Sequence, residues 1–120
     1  MIERDGCYLI TQRRPNAKFP LLWEFPGGRV EEGEREVDAL RRELNERLAV
    51  QIEVVSLYSY YTHPYDDCSV DLYLYVCTLG EGELKCQAVH DFRWVPSAEL
   101  ENYPFVGADE ASMKKLLEES

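Results

Sequence analysis

Gly28 to Val50 reads GRVEEGEREVDALRRELNERLAV, and its two halves call for different structures. The opening glycine, with Trp23-Glu24-Phe25-Pro26-Gly27 just before it, makes a rigid turn whose glycines let backbone approach a ligand closely. From Glu34 to Leu48 the pattern becomes helical. Val37, Leu40, Leu44 and Leu48 recur at helical spacing and would bury against a sheet. Glu36, Ala39, Glu43 and Glu46 follow the adjoining stripe, so Glu43 and Glu46, one turn apart, point the same way. Mg²⁺ prefers oxygen ligands and is commonly held by one or two carboxylates plus substrate phosphates. Turn and helix together therefore point to a site for a divalent metal and a polyphosphate. Taken without its turn, the helix has a plainer reading: a solvated surface element in which Glu43 and Arg47 form a pair worth about 0.3–0.5 kcal/mol.

Around this stretch the periodicity predicts a strand over Cys7 to Arg13 after an Asp5-Gly6 turn. A long hairpin follows, from Ile52 to Thr62 and from Ser69 to Leu79, around His63-Pro64-Tyr65-Asp66-Asp67. Phe92 to Val95 reads as another short strand. Ser97 opens a short helix with a plausible N-cap, and Asp109 caps a final helix reaching about Glu118. Strands and helices in this order predict an α+β fold with a mixed sheet between helices.

At 120 residues, 45% of them hydrophobic, residues 1–120 suit one domain with one core. A formal charge of −10 disfavours nucleic-acid polymers and anionic membranes as partners, because such binding relies on clustered Lys and Arg. A free nucleotide chelated to Mg²⁺ is easier to accept. Cys7, Cys68, Cys77 and Cys86 show no CXXC spacing and no histidine at zinc-ligand intervals. They read as reduced thiols. No apolar run approaches the roughly 18 residues of a membrane span, and no signal-peptide core opens the chain. The expectation is a soluble cytoplasmic protein.

Gly28, Glu34, Arg42, Glu43, Leu44, Glu46 and Val50 match the pattern GX5EX7REUXEEXGU, with U aliphatic, so the run resembles the Nudix box. LWEFPGG at Leu22 to Gly28 is similar to the approach found in MutT-type members. The resemblance continues through LITQRR at Leu9 to Arg14, FRWVP at Phe92 to Pro96 and YPFVGADEASMKKLL at Tyr103 to Leu117. It implies a Nudix-type α/β/α sandwich and Mg²⁺-dependent hydrolysis of a nucleoside triphosphate to monophosphate and pyrophosphate, with Mn²⁺ as an alternative metal. Under it, Glu43, Glu46 and the Gly27 carbonyl would hold the metal. Glu43 would also be a candidate base, Arg42 would brace the carboxylates, and Arg29 would touch phosphate. Asp109 would read the base, with Arg13 and Phe25 lining its pocket; Asp109 suits a helix N-cap equally well. An ionised carboxylate only accepts hydrogen bonds, which favours donor-bearing edges such as oxidised guanine or cytosine.

Three departures from the family pattern bear on activity. Arg47 stands where the box has a further glutamate, Ala49 where it has a glycine, and Ala88 where MutT-like members carry a loop glutamate six residues before Trp94. Arg47 replaces an expected metal ligand by a cation, which is also placed to contact phosphate. Ala49, if left-handed, costs roughly 1–2 kcal/mol. Asp91 is the neighbouring carboxylate that could substitute for the one missing at Ala88, with His90 as a proton carrier. The alternative function is therefore a Nudix-fold protein that binds a nucleotide or a partner with little turnover. The segment Met1 to Gly6 resembles the middle of the family's first hairpin, which implies a shortened strand and a sheet edge open to self-association. Monomer and homodimer both stay open.

Overall fold

The computed structural model describes residues 1–80 and 82–119. Strand β2 (Cys7–Gln12) is the spine of the larger sheet. Strands β1 (Glu3–Arg4) and β3 (Trp23–Glu24) pair with it antiparallel, and β6 (Asp91–Pro96) does the same through the register Cys7↔Pro96 to Gln12↔Asp91. Asp5 and Gly6 join β1 to β2 with φ of 52° and 79°, the pair of positive angles that a tight two-residue hairpin turn demands. The second sheet is a two-stranded ribbon of β4 (Ile52–Pro64) and β5 (Ser69–Leu79). Its ladder slips between Val54 and Ser56 and between Leu57 and Ser59, and such bulges bend and twist a strand. The fold is an α+β sandwich in which every ladder is antiparallel. Among the described residues, parallel pairing enters as isolated bridges, including Ile2↔Cys77, which joins the two sheets.

Each helix covers its own core. Helix α1 (Glu36–Leu48) sets Leu44 and Leu48 against Ile2, Leu9, Val50, Ile52, Cys77 and Val89. Helix α2 (Gly107–Glu119) sets Met113 and Leu116 against Ile10, Trp23, Phe25, Leu74, Val95 and Phe105, with Leu100 from a 3₁₀ helix over Ser97–Asn102. Leu9 and Ile10, adjacent on β2, enter opposite cores because neighbouring side chains on a strand point to opposite faces. The expected single core is thus two, one on either side of β2.

Several boundaries move. Helix α1 starts at Glu36 rather than Glu34, because the Glu34 carboxylate accepts the Glu31 N–H and belongs to the preceding turn. Trp23-Glu24, read as part of a turn, forms a short strand against Thr11 and Gln12. The ribbon strand β4 runs on to Pro64, since His63 and Pro64 pair with Val70 and Ser69. Neither expected N-cap holds: Pro96 precedes the 3₁₀ helix, and Asp109 lies inside the first turn of α2. The amide of Ala108 instead donates to the Tyr65 hydroxyl from the ribbon tip at 3.0 Å. Val37, expected in the buried stripe, is only half-buried. At the N-terminal segment the Cys77 N–H donates to the Met1 carbonyl at 2.8 Å and Ile2 is buried, so this stretch lies along β5.

Candidate active site

Helix α1 and the turn before it meet at Gly28. A Cβ on Gly28 would fall 2.1 Å from Glu43 Cδ, so only glycine leaves room for that carboxylate to lie across the turn. Glu43 is buried, unusual for an unpaired carboxylate, and its oxygens are both engaged. Arg42 Nη1 donates to Oε1 at 3.1 Å, and Arg47 Nε donates to Oε2 at 2.7 Å. Arg42 also grips Glu34 with two parallel bonds, Nε to Oε2 at 2.8 Å and Nη2 to Oε1 at 2.9 Å. Such bidentate pairs fix geometry as well as charge. Its remaining bonds reach Glu46 Oε2 at 3.2 Å and the Arg29 carbonyl at 3.0 Å. Hydrogen bonds from Arg42, and then from the Glu31 backbone, hold the Glu34 carboxyl down at about 2. Contact with Glu34 in turn raises the Arg42 guanidinium above its ordinary value.

Arg47 carries the network across to the sheet. Its Nη1 lies 3.5 Å from Glu24 Oε1, and Arg13 Nη1 reaches both Glu24 oxygens at 3.3 Å from β2's end. Charges thus alternate from helix to strand in one line: Glu34, Arg42, Glu43, Arg47, Glu24, Arg13. Burial pushes the Glu24 carboxyl up, opposed by Arg13 and Arg47. Beyond it, Asp109 is buried; burial, then the charge of Glu24, raises its carboxyl well above the usual range, while a hydrogen bond from the Phe25 backbone resists. The backbone of Arg47 has a separate duty. Its carbonyl accepts the N–H groups of Gln87 and Ala88 at 3.0 and 3.1 Å, and the Leu48 carbonyl accepts that of Lys85 at 2.9 Å. The loop before β6 is therefore fastened to the last turn of α1. That helix ends at Ala49 with φ 58° and ψ 35°, left-handed, its N–H donating to the Asn45 carbonyl.

Comparison with known proteins adds kinship to this geometry. A NUDIX domain family model matches residues 1–117. The chain belongs to the Nudix family. A CTP pyrophosphohydrolase of Escherichia coli (strain K12) is 31% identical over 109 residues, covering 91% of this Nudix chain and 81% of its own length. Nucleoside triphosphatase NudI of Salmonella arizonae is 47% identical, but only over 53 residues, 43% of this chain and 38% of that protein. Among solved structures, the E. coli ORF135 protein superposes with a TM-score of 0.81 at 28% identity, covering 98% of this chain and 84% of its own. A MutT NUDIX hydrolase from Burkholderia pseudomallei reaches 0.83 at 24% identity over 94% and 90% of the two chains, a likeness of fold.

The Nudix residues singled out in the sequence are only partly gathered. Glu34, Arg42, Glu43, Glu46 and the Arg29 carbonyl converge as described. The Arg29 side chain is exposed, and Gly27 lies beside Leu40. Arg13 joins through Glu24, a residue that sequence reasoning passed over: it sat inside a presumed turn, and only the alternation of Trp23, Glu24 and Phe25 hinted at a strand. The Phe25 ring is buried in the core against Phe105, so this residue turns its backbone, not its ring, toward Asp109. Asp91 is occupied locally: its Oδ1 accepts the Phe92 N–H and its Oδ2 faces Arg93. His90 is exposed, and its N–H donates to the Gln12 carbonyl.

Nudix hydrolases generally use divalent metal ions, and the fit of Glu43, Glu46 and Gly27 to a resident ion can be judged from their partners. Both Glu43 oxygens accept from guanidiniums, and Arg42 takes one oxygen of Glu46. Among the described residues, no three His, Cys, Asp or Glu side chains converge to hold an ion. In this arrangement the set does not fit a resident divalent cation. The Glu43–Arg47 pair, read from sequence as a surface contact, is instead mostly buried.

Proposed function

We propose that this Nudix chain hydrolyses nucleoside triphosphates, Mg²⁺ or Mn²⁺ entering as the counter-ion of the nucleotide itself. The observation that carries this reading is the assembly of Glu34, Arg42, Glu43 and Glu46 on the glycine turn at Gly28. In the reaction, water attacks phosphorus and the bond between the α and β phosphates breaks. Pyrophosphate leaves with the bonding electrons, and the water's proton passes to a base, a role we assign to Glu43. A metal carried in on the nucleotide would supply charge neutralisation on the phosphates and would acidify water. Arg42 orients Glu43 and Glu46, while the exposed Arg29 suits a phosphate contact. Glu43, Glu46 and the Gly27 carbonyl are the groups we assign to meet a metal arriving with the nucleotide.

At the other end we assign the base side of the site to Arg13 and Asp109, with Phe25 contributing its backbone while its ring stays in the core. Kinship with a CTP pyrophosphohydrolase over 91% of this chain makes a cytosine nucleotide the leading substrate, with oxidised dGTP second. Four unpaired cysteines accord with a cytoplasmic setting; among the described residues no helix is long and apolar enough to cross a membrane. A second reading, nucleotide binding without turnover, is favoured by the 2.7 Å bond that ties Glu43 to Arg47. Pyrophosphate release from CTP, dCTP, dGTP and 8-oxo-dGTP with Mg²⁺ or Mn²⁺ decides between them. Hydrolysis is expected for at least one, abolished in Glu43→Gln; turnover no higher than that variant's would establish the second reading.

A further inference from the structure

Four carboxylates, Glu24, Glu34, Glu43 and Glu46, are matched here by three guanidiniums, Arg13, Arg42 and Arg47, which leaves one net negative charge for any ion that arrives. Arg47 is the member that holds the centre. Of these three cations, Arg47 bridges helix α1 to the sheet, with Glu43 on one side at 2.7 Å and Glu24 on the other at 3.5 Å. The two contacts are unequal. Nε makes a short, charge-assisted bond to Glu43, whereas the Glu24 distance is long for a hydrogen bond. A divalent ion approaching Glu43 must displace that bond and then sit beside the displaced guanidinium. Like charges a few ångströms apart inside a partly buried site repel strongly, far more than in bulk water.

We propose, resting on the nucleotide-hydrolysis reading above, that Arg47 is a built-in counter-ion which stands in for a resident divalent cation at Glu43 and is released by the triphosphate. In the empty protein its guanidinium neutralises Glu43 and Glu24. A triphosphate tail offers several negative oxygens in the fork geometry that arginine matches, so the guanidinium passes from carboxylate to phosphate. Glu43 is thereby freed at the moment the nucleotide's metal arrives. Metal uptake at Glu43 is conditional on nucleotide, and a charge that opposes the ion in the empty site assists the phosphates in the filled one.

The test measures binding, so it remains informative even if turnover is absent. Nucleotide-free wild type, Arg47→Ala and Arg47→Lys, each checked for native circular dichroism, are titrated with Mn²⁺ by calorimetry and electron paramagnetic resonance. Removing the cation should tighten Mn²⁺ binding by at least about tenfold in Arg47→Ala, and keeping it in Arg47→Lys should leave binding near wild type. In a second arm, α,β-methylene-CTP is titrated in EDTA, where the metal plays no part. Arg47→Ala should lose at least about tenfold in affinity. Mn²⁺ binding to Arg47→Ala no tighter than to wild type overturns the counter-ion role, and undiminished metal-free nucleotide affinity overturns the transfer to phosphate. If the Mn²⁺ result holds but no nucleotide is hydrolysed, the hydrolytic reading fails while the counter-ion stands.

Discussion

A methyl group added at Gly28 would land 2.1 Å from Glu43 Cδ, so Gly28→Ala must push that carboxylate off its seat. The end of a glutamate moves cheaply, and the cost falls on geometry rather than on folding. Turnover should drop at least about tenfold, as displacing a catalytic group by an ångström can do, while the urea unfolding free energy stays within about 0.5 kcal/mol of wild type. Ala49 is the opposite case. Its φ of 58° keeps the left-handed helix end that the box glycine would supply, at the expense of a Cβ. Ala49→Gly should therefore stabilise the fold by about 1 kcal/mol, read from urea melts; no gain would mean that the added freedom of the unfolded glycine cancels the relief. Glu43 and Glu46 were legible from helix spacing, and Glu34 and Arg42 only through the resemblance to the Nudix box. Glu24 meets them only because β3 pairs with β2, and Asp109 lies beside Glu24 and the Phe25 backbone only because α2 packs there, relations that no local pattern encodes.

Elements were legible where periodicity is long and illegible where the partner is remote. The spacing in α1 and the alternation in β4 and β5 gave their types, and errors gathered at the ends. The start of α2 shows why. Asp109 is the residue type that caps helices, yet burial beside the Phe25 amide claims it, and the helix's second residue, Ala108, finds its acceptor in Tyr65, 43 positions away. Tyr65 also stacks on Phe19, with ring centroids 5.0 Å apart, and meets His63 edge-on. The ribbon tip is thereby joined to the α2 terminus by hydroxyl and ring together. Tyr65→Phe keeps the ring and removes the acceptor, so it should cost about 0.5–1.5 kcal/mol. Amide exchange at Ala108 should quicken in step; unchanged exchange there would show that the hydroxyl contributes nothing to the helix end.

For the molecule as a whole, two cores share one central strand, and a line of alternating charges runs from α1 to β2 with Asp109 beyond Glu24. The fate of Asp109 sets a global pH dependence. Its carboxyl lies well above 3.8 when folded, through burial first and the charge of Glu24 second. Its favourable contribution is therefore complete below the unfolded value and lost as pH rises through the folded one. Asp109→Asn removes this titration. Relative to wild type, the variant should become more stable as pH climbs above the ordinary carboxylate range in thermal melts; parallel profiles would mean that Asp109 does not titrate in that way. Residue 47 leaves a different legacy. Its carbonyl secures Gln87 and Ala88, while its side chain addresses Glu43. Scaffolding and charge at this position are thus separable, and selection or an engineer can reverse the sign of the side chain without loosening the wall behind it.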